Sequence, residues 1–122
     1  MEQKTAFTHC HIARGHLVAK VLAPNAAQRE VPIITSEIGA FIDGMGDTGK
    51  GKCFVLDLSE VRLLSSMGIG MCVDLKNRAD RAHMKAVLFG AVPSLLELLK
   101  LMRVDRLYAV AADQKALDKL LG

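Results

Sequence analysis

Two adjacent serines, Ser65 and Ser66, stand directly before an apolar, helix-periodic run that opens with Met67-Gly68-Ile69-Gly70. A serine hydroxyl in such a place can act as a nucleophile, cap the helix, or accept a phosphate. Nucleophilic chemistry needs a histidine and a carboxylate to activate the oxygen. No G-x-S-x-G elbow is present, and no histidine falls in the loops expected beside Ser66, so Asp57 or Asp74 would have no base to orient. No enzyme is expected. The other two uses stay open. A capping oxygen accepts one of the free backbone N–H groups at a helix start. A phosphate is favoured at the same place, because those N–H groups and the positive end of the helix dipole stabilise an anion. It would add roughly −1.5 to −2 charges at neutral pH, changing the local surface sign while the fold tolerates it.

Two other constellations and one lone histidine have chemistry-bearing residue types. Gly44-Met45-Gly46-Asp47-Thr48-Gly49-Lys50 fits the start of a phosphate-binding G-x-x-x-x-G-K loop. Position 51 is Gly where a Ser or Thr should ligate magnesium, and the stretch precedes a strand when it should follow one. A helix-to-strand connection accounts for it. His9-Cys10-His11, with His16 nearby, offers metal-ligand types, and His9 and His11 share one face of a strand. Third and fourth ligands are not evident, so the polar outer face of an edge strand is the simpler reading. No metal or other cofactor is expected. His83, alone between a helix and a strand, reads as a surface histidine.

The elements that position these residues fit in one domain. A chain of 122 residues is long enough for a single core and too short for two, so residues 1–122 are expected to form one unit with its core about 6–121. Hydrophobic residues make up 51% and charged residues 24%, which excludes a disordered chain. The net charge of +3 is spread without a Lys/Arg run, so no direct nucleic-acid partner is expected. The stretch 76–85, the richest in cations, reads as a solvated helix face. No apolar run approaches the roughly 20 residues that cross a bilayer, and no membrane partner is expected. The N-terminus lacks the apolar region of a secretory signal. Cys10, Cys53 and Cys72 are an odd set, far apart, each within an apolar segment. That pattern predicts reduced, buried thiols and a cytoplasmic protein.

Residues 7–12 and 16–22 read as strands joined at Ala13-Arg14-Gly15, an antiparallel hairpin. The next segment looks β-branched, yet Val31, Ile34, Ile38, Phe41, Ile42 and Met45 recur at helical spacing. Pro32 is tolerated in a first helical turn and Gly44 and Gly46 supply the stop. A glycine-rich loop over 44–52 leads to a strand at 53–58. After the serines, Gly68, Met71, Cys72, Leu75, Ala79 and Ala82 share a helix face. A strand at 85–89 follows, then a helix with a capping box between Ser94 and Glu97 and a core stripe of Leu95, Leu98, Leu99 and Met102. A strand at 107–110 and a helix from Asp113, burying Ala116, Leu117, Leu120 and Leu121, complete the order β-β-α-β-α-β-α-β-α. That alternation predicts an α/β domain with a mixed sheet, an N-terminal hairpin and otherwise mainly parallel strands packed by about four helices.

The strand Phe54-Val55-Leu56-Asp57-Leu58, then Val61, then Leu64-Ser65-Ser66-Met67-Gly68-Ile69-Gly70, resembles the STAS domains of the anti-sigma factor antagonist family. That family has a strand ending in Asp-Leu-Ser or similar, then an Asp-Ser-Ser-Gly-Leu-Gly type loop that opens a helix. Residues 95–110 also resemble the family's third helix and its turn into the last strand. The resemblance extends in element order over residues 6–121, most specifically over 54–70 and 95–110. It implies a non-enzymatic protein that binds an anti-sigma factor serine kinase and so releases a sigma factor. Alignment on Gly68-Ile69-Gly70 places Ser66 where that family is phosphorylated, which abolishes binding until a phosphatase resets it. Ser65 falls where the family usually has Asp, and Met67 where it has a second small hydroxyl residue; Ser65 is therefore the alternative modified residue. The implied partner surface is Asn25, Ser65, Ser66, Met67 and Gly68, on a monomer or weak homodimer. The competing expectation is a STAS-type scaffold or sensor that oligomerises or binds a small ligand without a phosphorylation cycle.

Overall fold

The computed structural model describes residues 2–26 and 29–122; Met1, Ala27 and Gln28 of the expected 1–122 unit lie outside them. Strands β2 (Thr8–Ala13) and β3 (His16–Val21) form the expected antiparallel hairpin. Its two-residue turn has positive φ at both Arg14 (52°) and Gly15 (86°), the mirror-image geometry whose twist suits paired strands. Alternate residues of β3 separate cleanly. Leu17, Ala19 and Val21 enter the main core, while Val18 faces the other side of the sheet.

Helix α1 (Val31–Met45) begins at the proline-bearing turn and ends at Gly46, which has φ 53°. Its buried residues Val31, Ile34, Ile38, Phe41 and Ile42 fall at the helical spacing, so period 3.6 outweighed the β-branched composition. A 3-10 turn, Gly46–Gly49, joins it to β5 (Cys53–Asp57), and all five residues of that strand are buried. Phe54 and Leu56 face the main core, whereas Cys53 and Val55 face a second, smaller one. Burial on both faces is why this strand reads as an unbroken apolar run.

Then come α2 (Ser66–Arg81), β7 (Lys85–Phe89), α3 (Pro93–Leu101), β8 (Ala109–Ala111) and α4 (Gln114–Leu121). With β1 (Glu2–Lys4), the sheet order is β1-β2-β3-β5-β7-β8, antiparallel over the first three strands and parallel thereafter. From β3 onward the order advances in one direction. Right-handed crossovers then put α1, α2 and α3 on the same face. The last helix packs Leu117 on the opposite face against Val55, Val87 and Ala111.

Several elements differ from the sequence expectation. The sheet gains β1, whose Glu2-Gln3-Lys4 has no apolar alternation and pairs through its main chain. The edge is therefore β1, with charged side chains that discourage further pairing, and the histidines of β2 lie one strand in. A second, two-stranded sheet joins β4 (Asn25–Ala26) to β6 (Leu63–Leu64). The expected capping box is absent: α3 starts at Pro93, whose missing N–H suits a first helical position, so Ser94 lies inside the helix and Val92 precedes it without a side-chain cap. Leu95 and Leu99 are buried, but Met102 stands outside the core stripe. The last strand starts two residues later than expected, after a 3-10 turn at Val104–Arg106. Tyr108 is diverted to donate its hydroxyl to the Cys72 carbonyl at 2.6 Å, which ties that turn to α2. All three cysteines are free and buried, as their apolar surroundings predict.

Candidate functional site

Parallel strands β3, β5 and β7 finish at one end of the sheet, and the serine pair is built there. Asp57 closes β5 and is itself mostly buried; its Oδ1 accepts the Ser59 N–H at 2.9 Å and turns the chain. The Leu58 N–H donates to the Phe89 carbonyl at 2.9 Å, fixing the turn to the end of β7. The Arg62 N–H donates to the Pro24 carbonyl at 2.7 Å, and the β4–β6 pairing continues that anchor. Val61 and Leu64 point inward, so the backbone reaches Ser65 along a fixed path.

Ser65 caps α2: extended backbone (φ −73°, ψ 172°) aims its Oγ at the Gly68 N–H, which donates to it at 3.2 Å. Its carbonyl takes the Ile69 N–H at 3.0 Å. Ser66 is the first helical residue and is exposed, whereas Ser65 is half-buried. Neither hydroxyl is bonded to a histidine or a carboxylate among the described residues. The arrangement therefore offers one hydroxyl spent on the cap and one free at the positive end of a 16-residue helix. Asp is as good an N-cap as Ser, so the serine at position 65 serves the capping role that a carboxylate there would serve.

The other expected partner-binding residues divide into two kinds. Asn25 is exposed and lies in register with Leu63, three residues before Ser66, and Met67 is 41% exposed. Gly68 is buried: a Cβ there would come within 2.8 Å of Leu64 Cδ2, so its bare backbone lets β6 pack on the helix. By contrast Gly70 faces open space. Beyond the expected set, Leu63 is 65% exposed beside Asn25. A groove of about 610 Å³ runs from Pro32, Thr35 and Met67 to Asp74 and Arg78 between α1 and α2. Leu63 carried no signal in the sequence, since the two-residue strand that holds it is defined by main-chain pairing alone. The groove carried none either, since it depends on how the two helices cross.

Across the same end of the sheet Lys20 Nζ and Glu60 Oε2 pair at 2.8 Å. That hydrogen bond pushes the Lys20 ammonium above its ordinary range, with the Asp57 charge adding to it. The histidines gather elsewhere. His9 and His11 sit side by side, ring centroids 5.6 Å apart, and His9 pairs with Glu2. The His16 ring is turned to the bottom of α4: its Nδ1 accepts the Cys53 N–H at 3.0 Å, and Nε2 bonds the Leu121 carbonyl at 3.1 Å. Among the described residues no three His, Cys, Asp or Glu side chains come together as a metal site. The 44–50 stretch is the end of α1 and a 3-10 turn, not a loop that opens a helix toward a phosphate.

The family model of the STAS domain matches residues 25–115 of this chain, including the strand, the serine pair and the helix they open. The chain belongs to the STAS domain family. Solved structures share the fold. An anti-sigma factor antagonist (STAS) domain protein from Planctomyces limnophilus superposes with a TM-score of 0.83 at 16% identity, covering 98% of this chain and 100% of that one. RsbS of Moorella thermoacetica, in a serine-to-glutamate variant, gives 0.73 at 24% identity over 91% and 92%. The Bacillus cell fate determinant SpoIIAA in its phosphorylated form gives 0.66 at 13% identity over 93% and 98%. No curated protein matches the chain in sequence. In this STAS domain no helix among the described residues is long and apolar enough to cross a membrane.

Proposed function

We propose that this STAS domain is an anti-sigma factor antagonist, a non-enzymatic module of the cytoplasm that binds an anti-sigma factor serine kinase and thereby releases a sigma factor. The observation that carries this reading is the division of labour between the serines. Ser65 is occupied as the cap, and Ser66 is exposed at the start of α2. Phosphorylation of Ser66 would put a dianion among helix N–H groups that favour it, leaving the core untouched. The same dianion would lie within a contact surface formed by Asn25, Leu63, Ser65, Ser66 and Met67, with Gly68 shaping the surface from beneath. A docked partner would have to desolvate it, so phosphorylation switches binding off and a phosphatase restores it. Likeness to SpoIIAA, which has been solved in a phosphorylated form, supports the assignment. In this reading the whole chain acts as one unit, as a monomer or weak homodimer, and does not contact nucleic acid directly.

A second reading is favoured by one observation, the Ser at position 65 where the family's antagonists usually have Asp. It is a STAS scaffold or sensor that oligomerises or binds a small ligand with no phosphorylation cycle. One experiment separates the two. Incubation with the cognate kinase and ATP should raise the intact mass by one phosphate, about 80 Da, and Ser66→Ala should remove the gain while Ser65→Ala retains it. Loss of the gain in Ser65→Ala alone would move the site to Ser65. No gain with a kinase that binds the protein would favour the scaffold.

A further inference from the structure

The end of the sheet remote from Ser66 has an unusual turn. Parallel topology places the two apart: Ser66 follows the finish of β5, whereas residues 101–107 lie just before the start of β8, parallel to β5 through β7. On this one turn Leu101 is 80% exposed, Met102 56% and Leu107 38%. Interleaved with them are Lys100, Arg103 and Arg106, all exposed, against a single half-buried acid, Asp105. None of the three cations takes part in an ion pair among the described residues. More positive charge adjoins. Val87 is in register with Ala109, so Lys85 lies at the turn's end of the sheet, and its N–H donates to the carbonyl of Lys52.

Arg103 lies where the chain leaves α3. It holds φ 62° and ψ 19°, the left-handed position after a helix that glycine usually fills. The backbone therefore turns at a charged residue, as it also does at Arg14 in the hairpin. Solvent-facing apolar side chains interleaved with unpaired cations match a phase that is apolar within and anionic at its surface.

We propose that this α3–β8 turn docks the domain on an anionic lipid bilayer. Leu101, Met102 and Leu107 enter the boundary between headgroups and acyl chains, and Lys100, Arg103 and Arg106 face the lipid anions. The association is peripheral, and it departs from the expectation of no membrane partner. Because Ser66 lies at the other end of the sheet, the serine surface stays open to a protein partner while the turn is seated.

The test is flotation of the purified full chain with phosphatidylcholine vesicles, with and without phosphatidylserine. Binding should require phosphatidylserine and fall as sodium chloride is raised. The pair Leu101→Ser with Met102→Ser, and separately Arg103→Glu with Arg106→Glu, should each weaken it about tenfold or more. These side chains are exposed, so unchanged melting temperatures should accompany the loss. Arg103→Gly is a second guard: it relaxes the left-handed backbone, and should raise the melting temperature while weakening vesicle binding. Absence of phosphatidylserine-dependent binding overturns the proposal. So does binding that survives the Leu101 and Met102 changes and is competed by soluble polyglutamate, which would assign the turn to an acidic protein.

Discussion

Ser65 and Ser66 are neighbours in sequence with the same side chain, yet helix geometry gives them different work. The residue before the first helical turn has extended backbone and can fold its oxygen back onto the third N–H; the next residue cannot. Ser65 accordingly bonds the Gly68 N–H and Ser66 does not. Ser65→Ala should therefore cost about 1 kcal/mol in unfolding free energy, and Ser65→Asp should keep the native value or exceed it. Urea denaturation of the two variants measures this; equal losses in both would remove the capping role. The serine pair was legible in the sequence. Which member is free was not, because the helix start had to be fixed to one residue, and sequence periodicity fixes it only to within two or three.

At the scale of elements, the last helix is held by the hairpin's histidine. His16 is mostly buried between β5 and α4, accepting the Cys53 N–H and bonding the Leu121 carbonyl. A His16→Ala change would leave the buried Cys53 N–H without its acceptor and should destabilise the domain by about 1–3 kcal/mol. Amide exchange along α4 should quicken more than along α1, since α4 loses its tie while α1 keeps its core face; uniform acceleration would show that His16 does not hold α4 in particular. The sequence offered His16 only as a metal-ligand type beside His9 and His11. Its real partners are 37 and 105 residues away along the chain, a pairing no local pattern encodes. The two-residue strands β4 and β6 were hidden for a related reason, since main-chain pairing leaves no mark on side-chain pattern. β1 likewise pairs without any apolar residue to announce it.

For the molecule as a whole, burial of the thiols sets a pH limit. Desolvation pushes Cys10 up to about 11 and Cys72 up to about 12 from an ordinary 9.0, and burial lifts Tyr108 well above 10.0. Each is an acid whose neutral form is favoured by folding, so above pH 9 the unfolded chain releases protons that the folded one keeps. The contribution is complete at neutral pH, and it is lost as pH rises through the folded-state values. The denaturation midpoint should be flat from about pH 7 to 8.5 and fall beyond about pH 9. Replacing Cys10 and Cys72 by Ala should flatten that fall; an equally steep fall in the double variant would point to other groups.

The sequence by itself determined what depends on period and composition. The helical spacing of Val31 to Met45, the doubly buried run of β5, the alternation of β3 and the reduced cysteines all follow from which residues must leave water and how often they recur. The segment 54–70 also identified the family. Only the tertiary structure decided what depends on distant chain segments meeting. It placed Pro24 under Arg62, closed Gly68 beneath Leu64, set Ser65 to cap α2 and left Ser66 outside. It also put Met102 in solvent, although it continues the apolar stripe of Leu95, Leu98 and Leu99. The physical reason is the same in each case. Side-chain pattern records whether a residue is to be buried by its own element, and contacts between elements are fixed only when the sheet order brings them together.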